Sequence, residues 1–255
     1  MRKVLHYTLL DLARNRFAIG YALLLFVLSF VVFMLEPENA KALITLAQIT
    51  LASVPLLALV FTIVWSYNQY EFTVLLAVQP LHRRSIVLAQ FAAVSIALSA
   101  ALVLGVGLPI AVWAPGPIGW TLLFTGIALT SVCCALGLWI ATAQRDRARA
   151  VGIGLVSWVL MVMVWDAVLL WFMYAFSDRP IEPMIVPLAA LNPIDLARIL
   201  IMLRIDLSAL LGYTGAVYRD FFGSAGGMLV AFGELLLWTV LPAWAAVRSF
   251  RRKDL

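Results

Sequence analysis

Six runs of apolar residues, each long enough to cross a bilayer, constrain this chain more than any other feature. A hydrocarbon core about 30 Å thick takes about 20 helical residues at 1.5 Å rise each. Windows of that kind run from Phe17 to Leu35, Ala42 to Val64, Ser85 to Trp113, Gly119 to Ala143, Val151 to Phe176 and Met228 to Val247. They are continuous and do not alternate over about 10 residues, so they read as helices and not as barrel strands. Of the 255 residues, 64% are hydrophobic and 12% charged, against roughly 45–50% and about 25% in soluble domains. The expected fold is an all-α integral membrane protein with six transmembrane helices in a single domain, residues 1–255.

The charges orient it. Arg2, Lys3, Arg14 and Arg16 precede the first span, and no small-residue cleavage site follows, so that span reads as a retained helix and not a signal peptide. With both termini on one side, 13 of the 18 Lys and Arg fall on that side, and only Lys41, Arg179, Arg198, Arg204 and Arg219 fall on the other. The positive-inside rule then sets both termini, and the loop at 65–84, in the cytoplasm. This distribution accounts for the net charge of +5 without a nucleic-acid partner. Cys133 and Cys134 are helix neighbours about 100° apart, a poor geometry for a disulfide, and read as packing residues.

Three segments stand outside the spans. Residues 1–16 place Val4, Leu5, Leu9 and Leu12 on one helical face, the pattern of an interfacial helix resting on lipid. A cytoplasmic stretch, "YEFTVLLAVQPLHRRS", suggests a short helix from about Tyr67 to Val78 stopped by a turn at Pro80. The segment 177–227 is too long for a structureless connection and should contain helix. In it, "LNPIDLARILIMLRIDL" offers Asn192 as N-cap, Pro193 at the first helical position and Asp195 near the positive helix end. Asp195, Arg198 and Asp206 share one side of that helix, with Arg204 opposite. The helix is expected to lie along the outer membrane surface or dip back into it. Its charged side, with Tyr218 and Phe221 beyond, reads as a surface for an outer partner, or as a lid.

Two acids, Asp166 and Glu234, lie inside spans, where charge is costly. They are candidates for a membrane path or gate. The structural alternative is that each caps a hydroxyl or pairs with an outer arginine. No catalytic residue and no metal site is expected: His-Glu-x-x-His, Gly-x-Ser-x-Gly and Cys-x-x-Cys are absent, the eight methionines form no ladder, and His6 and His82 sit at span edges. A Walker A loop is absent as well, so ATP-driven movement would need another polypeptide to hydrolyse the nucleotide.

The layout now acquires a resemblance. Glu71, Leu75, Leu76, Pro80 and Arg83, placed after the second of six spans, resemble the coupling loop of the membrane subunits of type-2 ABC exporters. "LLDLARNR" before the first span is similar to that family's interfacial helix. Within it, "VWDAVLLW" and "LNPIDLARI" look most like the permeases of nitrous-oxide reductase maturation systems. The resemblance implies a multi-pass protein of the bacterial inner membrane, paired with a second copy of itself. It also implies a cytoplasmic ABC ATPase subunit docking on Tyr70, Glu71, Pro80 and Arg83, and a periplasmic β-helix protein meeting Asn192, Pro193, Asp195, Arg198, Tyr218 and Phe221. Cofactors would be none in this chain, with ATP and Mg on the ATPase. The implied role is to supply a sulfur species for copper-sulfur cluster assembly. A generic exporter of lipid, drug or glycan, and a transmitter of motion that moves no cargo, are the competing readings.

Overall fold

A computed structural model describes residues 2–78, 82–176, 187–204 and 225–252. The described chain is helical and contains no strand. α1 (Arg2–Ala13) leads into α2 (Arg16–Leu35), which is followed by α3 (Asn39–Asn68) and the short α4 (Tyr70–Val78). The third span joins α5 (Arg83–Leu102) through a π-helical turn at Val103–Gly107 to α6 (Leu108–Trp113). α7 (Pro117–Ala143) is the fourth span; α8 (Arg147–Val159), a π-helical turn at Leu160–Val164 and α9 (Trp165–Ala175) make the fifth. α10 (Pro193–Arg204) precedes the sixth span, α11 (Ala225–Arg252). Among the described residues, six helices are thus long and apolar enough to span a membrane. With an even number of crossings both termini lie on one face, here called the terminal face.

α7 is the hub. It packs against α3, α5, α10 and α11, and 72% of its apolar core is buried, against 6% for the span Arg147–Ala175. Its interior positions, including Cys133 and Cys134, are small or medium apolar groups that let neighbours approach closely. A Cβ at Gly137 would come within 2.9 Å of the Leu59 carbonyl oxygen on α3.

The caps explain where helices start. Asn15 accepts from the Phe17 N–H at 2.9 Å, and Asp146 from the Arg149 N–H at 2.9 Å, each satisfying a donor that a helix N-terminus leaves free. The π turn in the third span has a local cause. Pro109 has no N–H for the Gly105 carbonyl and its ring would collide there, which widening the preceding turn relieves. Gly105 in that turn lets α2 approach: a Cβ there would lie 2.6 Å from Leu25 Cβ and 2.9 Å from the Ala22 oxygen. Gly105→Ala should therefore lower the thermal midpoint in detergent by the equivalent of about 1–3 kcal/mol. Gly20→Ala, with nothing within 4 Å of its Cβ, should not lower it, since alanine is the better helix former.

Three expectations are corrected. The cytoplasmic helix does not begin at Tyr67, which belongs to α3; the chain breaks at Gln69, and α4 starts at Tyr70. Of the two courses expected for the helix after Asn192, lying along the outer surface is excluded, and the helix turns into the bundle: Pro193, Ile194, Asp195, Leu196, Ala197 and Ile201 are buried, packed on α7 and α3. Its apolar residues surround the helix almost completely, and such a helix buries itself among others. Asn192, Pro193 and Asp195 therefore face the bundle and are not an outward docking surface. Pro80, Asp206, Tyr218 and Phe221 lie outside the described residues.

Candidate coupling face and outer clamp

α4 has two faces, set by what its residues pack against and not by an alternation of polar and apolar groups. Thr73 and Leu76 point inward and are buried. Phe72, Leu75 and Val78, three residues apart, form an outward apolar stripe, with Leu75 66% and Val78 83% exposed. Tyr70 and Glu71 are exposed beside it. An acid next to an uncovered apolar stripe on a nine-residue helix is the chemistry of a docking element.

The stripe is wired to the spans through one hinge. At Gln69 the backbone leaves α3, its N–H still bonded to the Trp65 carbonyl at 2.9 Å. The Gln69 side chain donates from Nε2 to Asp11 Oδ2 on α1 at 2.7 Å. Thr73 Oγ1 donates to the Gln69 carbonyl at 2.8 Å and accepts from Gln90 Nε2 of α5 at 2.7 Å, in a buried contact. Just before the hinge, the Tyr67 hydroxyl lies 3.1 Å from the Gln144 carbonyl and 3.2 Å from that of Asp146, in the turn between α7 and α8. Arg147 donates to Asn68 Oδ1 at 3.3 Å. Displacing α4 therefore pulls on α1, α3, α5 and the start of α8 together. Arg83 opens α5 and donates to the Arg251 carbonyl near the end of α11 at 3.4 Å.

In the opposite half of the bundle a second constellation ties α10 to the fifth span. Asn192 caps α10 by accepting from the Ile194 N–H at 3.1 Å. Its Nδ2 donates to the Met161 carbonyl at 2.6 Å, inside the π turn, and to Asp195 Oδ2 at 3.0 Å. Arg198 Nη1 reaches both oxygens of Asp166, at 3.0 and 2.9 Å, and Asp195 Oδ1 at 3.0 Å. Trp165 Nε1 donates to the Leu188 carbonyl at 3.3 Å. One guanidinium thus bridges two carboxylates from different elements, an outer clamp closed by an amide that reads a main-chain carbonyl. Asp166 pairs with an outer arginine, the structural alternative for it. Glu234, half-buried on α11, shares no hydrogen bond or ion pair with Asp166 among the described residues.

Burial, and next the neighbouring charge of Asp166, push the Asp195 carboxyl well above the ordinary carboxylate range, against the downward pull of Arg198. The folded chain then holds a proton that the unfolded chain has released, so this group makes stability fall as pH rises from the ordinary carboxylate range toward neutrality. Asp195→Asn removes that dependence. The thermal midpoint of the variant should change less than that of the parent between about pH 5 and about pH 8.

Gln69, Asp11, Thr73, Gln90 and Tyr67 were not singled out by sequence reasoning. The signal for Gln90 was present, an amide within an apolar run, and so was that for Asp11, an acid between leucines in "LLDLARNR"; Gln69 carries none, since it lies among other polar residues at a span edge.

Known proteins with the same organisation bear on what the two constellations serve. The family described as ABC-2 family transporter protein matches residues 72–255. Over 222 residues, 80% of this chain and 75% of the relative, the sequence is 29% identical to a Stutzerimonas stutzeri protein described as probable ABC transporter permease protein NosY. With six apolar helices of spanning length among the described residues and a family match over residues 72–255, the chain belongs to the ABC-2 family of transporter permeases.

Proposed function

We propose that this chain is the membrane subunit of an ABC transporter whose separate ATPase docks on α4, and that it serves maturation of nitrous-oxide reductase. The observation that carries the first part is the exposed Phe72, Leu75 and Val78 stripe hinged at Gln69 to four other elements. ATP and Mg²⁺ bind the ATPase, and its closure moves α4. The second part is supported by the likeness to the Stutzerimonas stutzeri permease; the reading is that a sulfur species for copper-sulfur cluster assembly leaves through this subunit. A second copy is expected along the fifth span, which has few fully buried residues and exposes Val156, Met163, Leu170 and Trp171. A periplasmic β-helix protein would meet the outer face of 177–227, away from the inward-turned Asn192, Pro193 and Asp195. Glu234, with Asp166, remains a candidate for the membrane path.

The test is complementation of a denitrifying bacterium lacking its own maturation permease. Restored nitrous-oxide consumption, together with the visible absorbance of the reductase's copper-sulfur centre, supports the reading. A chain that stimulates a partner ATPase yet leaves the reductase without its centre is a generic exporter. Asp166→Asn and Glu234→Gln should insert normally and lose maturation. Transmission of motion without cargo is the second reading, favoured by the ties that bind α10 to the fifth span. It predicts restored maturation with no sulfur species taken up into inverted vesicles on ATP addition.

A further inference from the structure

Between α2 and α3, at the terminal face, runs a groove of about 530 Å³. Its walls are apolar, with Leu24 on α2 and Leu57, Val60, Phe61 and Val64 on α3. Its rim is polar and basic, made by Asn15, Arg16, Asn68 and Arg147. The polarity is therefore sorted along the groove, charge at one end and hydrocarbon at the other. Arg16 stands eight residues from Leu24, and Asn68 eleven from Leu57. At 1.5 Å per residue the groove reaches about 12–16 Å from rim to floor, which matches half of a hydrocarbon core about 30 Å thick.

The rim's arginines form no ion pair among the described residues. Arg147 has Asn68 Oδ1 for its contact. The acids closest in sequence are engaged elsewhere: Asp11 Oδ2 accepts from Gln69, and Asp146 Oδ2 caps α8. Two guanidinium groups from different helices, over an apolar slot one leaflet deep, complement an anion that carries a hydrocarbon tail.

We propose that this groove binds one anionic phospholipid from the leaflet at the terminal face, its phosphate between Arg16 and Arg147 and one acyl chain along Leu57, Val60 and Phe61. The bound lipid joins the starts of the first and fifth spans, the same end of the bundle that the Gln69 hinge controls. A soluble anion would leave the apolar walls unfilled, and a zwitterionic lipid would leave the rim charge unbalanced.

Native mass spectrometry of the delipidated full-length protein, titrated with phosphatidylglycerol and with phosphatidylcholine of the same chains, tests this. One saturable phosphatidylglycerol per chain, favoured over phosphatidylcholine, is the expected result. The Arg16→Gln, Arg147→Gln double variant should bind it about thirtyfold more weakly, from about 1 kcal/mol per basic residue near an anionic headgroup, and should no longer distinguish the two lipids. Val60→Trp, which fills the slot and spares both arginines, should abolish the adduct. Arg145→Gln, off the groove, should not change it. A photoactivatable phosphatidylglycerol should label α2 or α3 of the unaltered protein, a readout that does not depend on any variant folding. Equal uptake of the two lipids by the unaltered protein, undiminished binding in the double variant, or labels scattered over all spans would overturn the proposal. Cross-links from Leu24 or Val60 to a second copy, without lipid uptake, would give the groove to a dimer contact instead.

Discussion

Replacing Arg198 by leucine should cost the fold about 3 kcal/mol and empty the membrane of most of the protein. The guanidinium bridges Asp166 and Asp195 at 2.9 and 3.0 Å. Without it, two carboxylates are left beside each other, one of them 5% exposed. Removing one member of a buried pair costs about 3–5 kcal/mol; Asp166, 37% exposed, keeps enough water to place the loss at the lower end. The thermal midpoint of the purified variant and its abundance in membranes check the value. The triple change Arg198→Leu, Asp166→Asn, Asp195→Asn removes every charge at once and should recover most of the lost stability. Because α10 and α9 are then held by packing, by Asn192 and by the Trp165 bond to the Leu188 carbonyl, with no charge among them, the triple variant separates two roles. If it regains maturation activity along with stability, the clamp only holds the fold; if it regains stability alone, the charges act in the working cycle.

Reversing the chemistry of α4 should have the larger effect on function and almost none on the fold. Glu71→Arg and Leu75→Asp each place the wrong group on the exposed face of α4, so insertion and thermal stability should stay within about 0.5 kcal/mol of the parent. Loss of a central docking side chain costs an interface about 2 kcal/mol or more, a thirtyfold or greater drop in affinity. Co-purification of the ATPase should therefore disappear. Gln69→Ala makes the complementary case: it leaves the outward stripe intact and frees the hinge from Asp11. The ATPase should still co-purify, and its hydrolysis should no longer respond to the permease. If Glu71→Arg and Leu75→Asp both retain a full complement of ATPase, the docking surface lies elsewhere.

The parts of this structure that follow from hydropathy were legible in the sequence, and the parts that depend on what one helix does to another were not. Each expected window lies inside an observed span, apart from Phe176 at the end of the fifth, because about 20 apolar residues have few other places to go. The start of α10 at Asn192-Pro193 was equally legible, since capping is a local matter. The break at Gln69 was hidden: no proline or glycine marks it, and Tyr67 continues α3 because its hydroxyl is held by the turn between α7 and α8. The orientation of α10 was hidden for another reason. A helical projection puts Asp195 and Arg198 together, yet it cannot tell a solvated charged side from a buried ion pair. What would have decided it was Asp166, a carboxylate within a span that needs a cation, with Arg198 available from the outer segment. The π turn at Leu160–Val164 has no proline within it or after it to announce it, and its Met161 carbonyl is taken by Asn192, thirty-one residues away.

α3 is 30 residues long, a rod of about 45 Å, and the chain turns away from it within a single residue at Gln69. A rod that long is a gear. A tilt of about 5° at the hinge end carries the other end sideways by about 4 Å, close to the spacing between packed side chains. Pro55, near the middle of α3, has no N–H for the Leu51 carbonyl and so weakens the rod there, and Trp158 of the fifth span donates to the Ala52 carbonyl at 3.1 Å beside it. A short push at one surface is thereby geared up into a stroke wide enough to shift one helix against another at the far surface, with the fifth span carried along from mid-membrane.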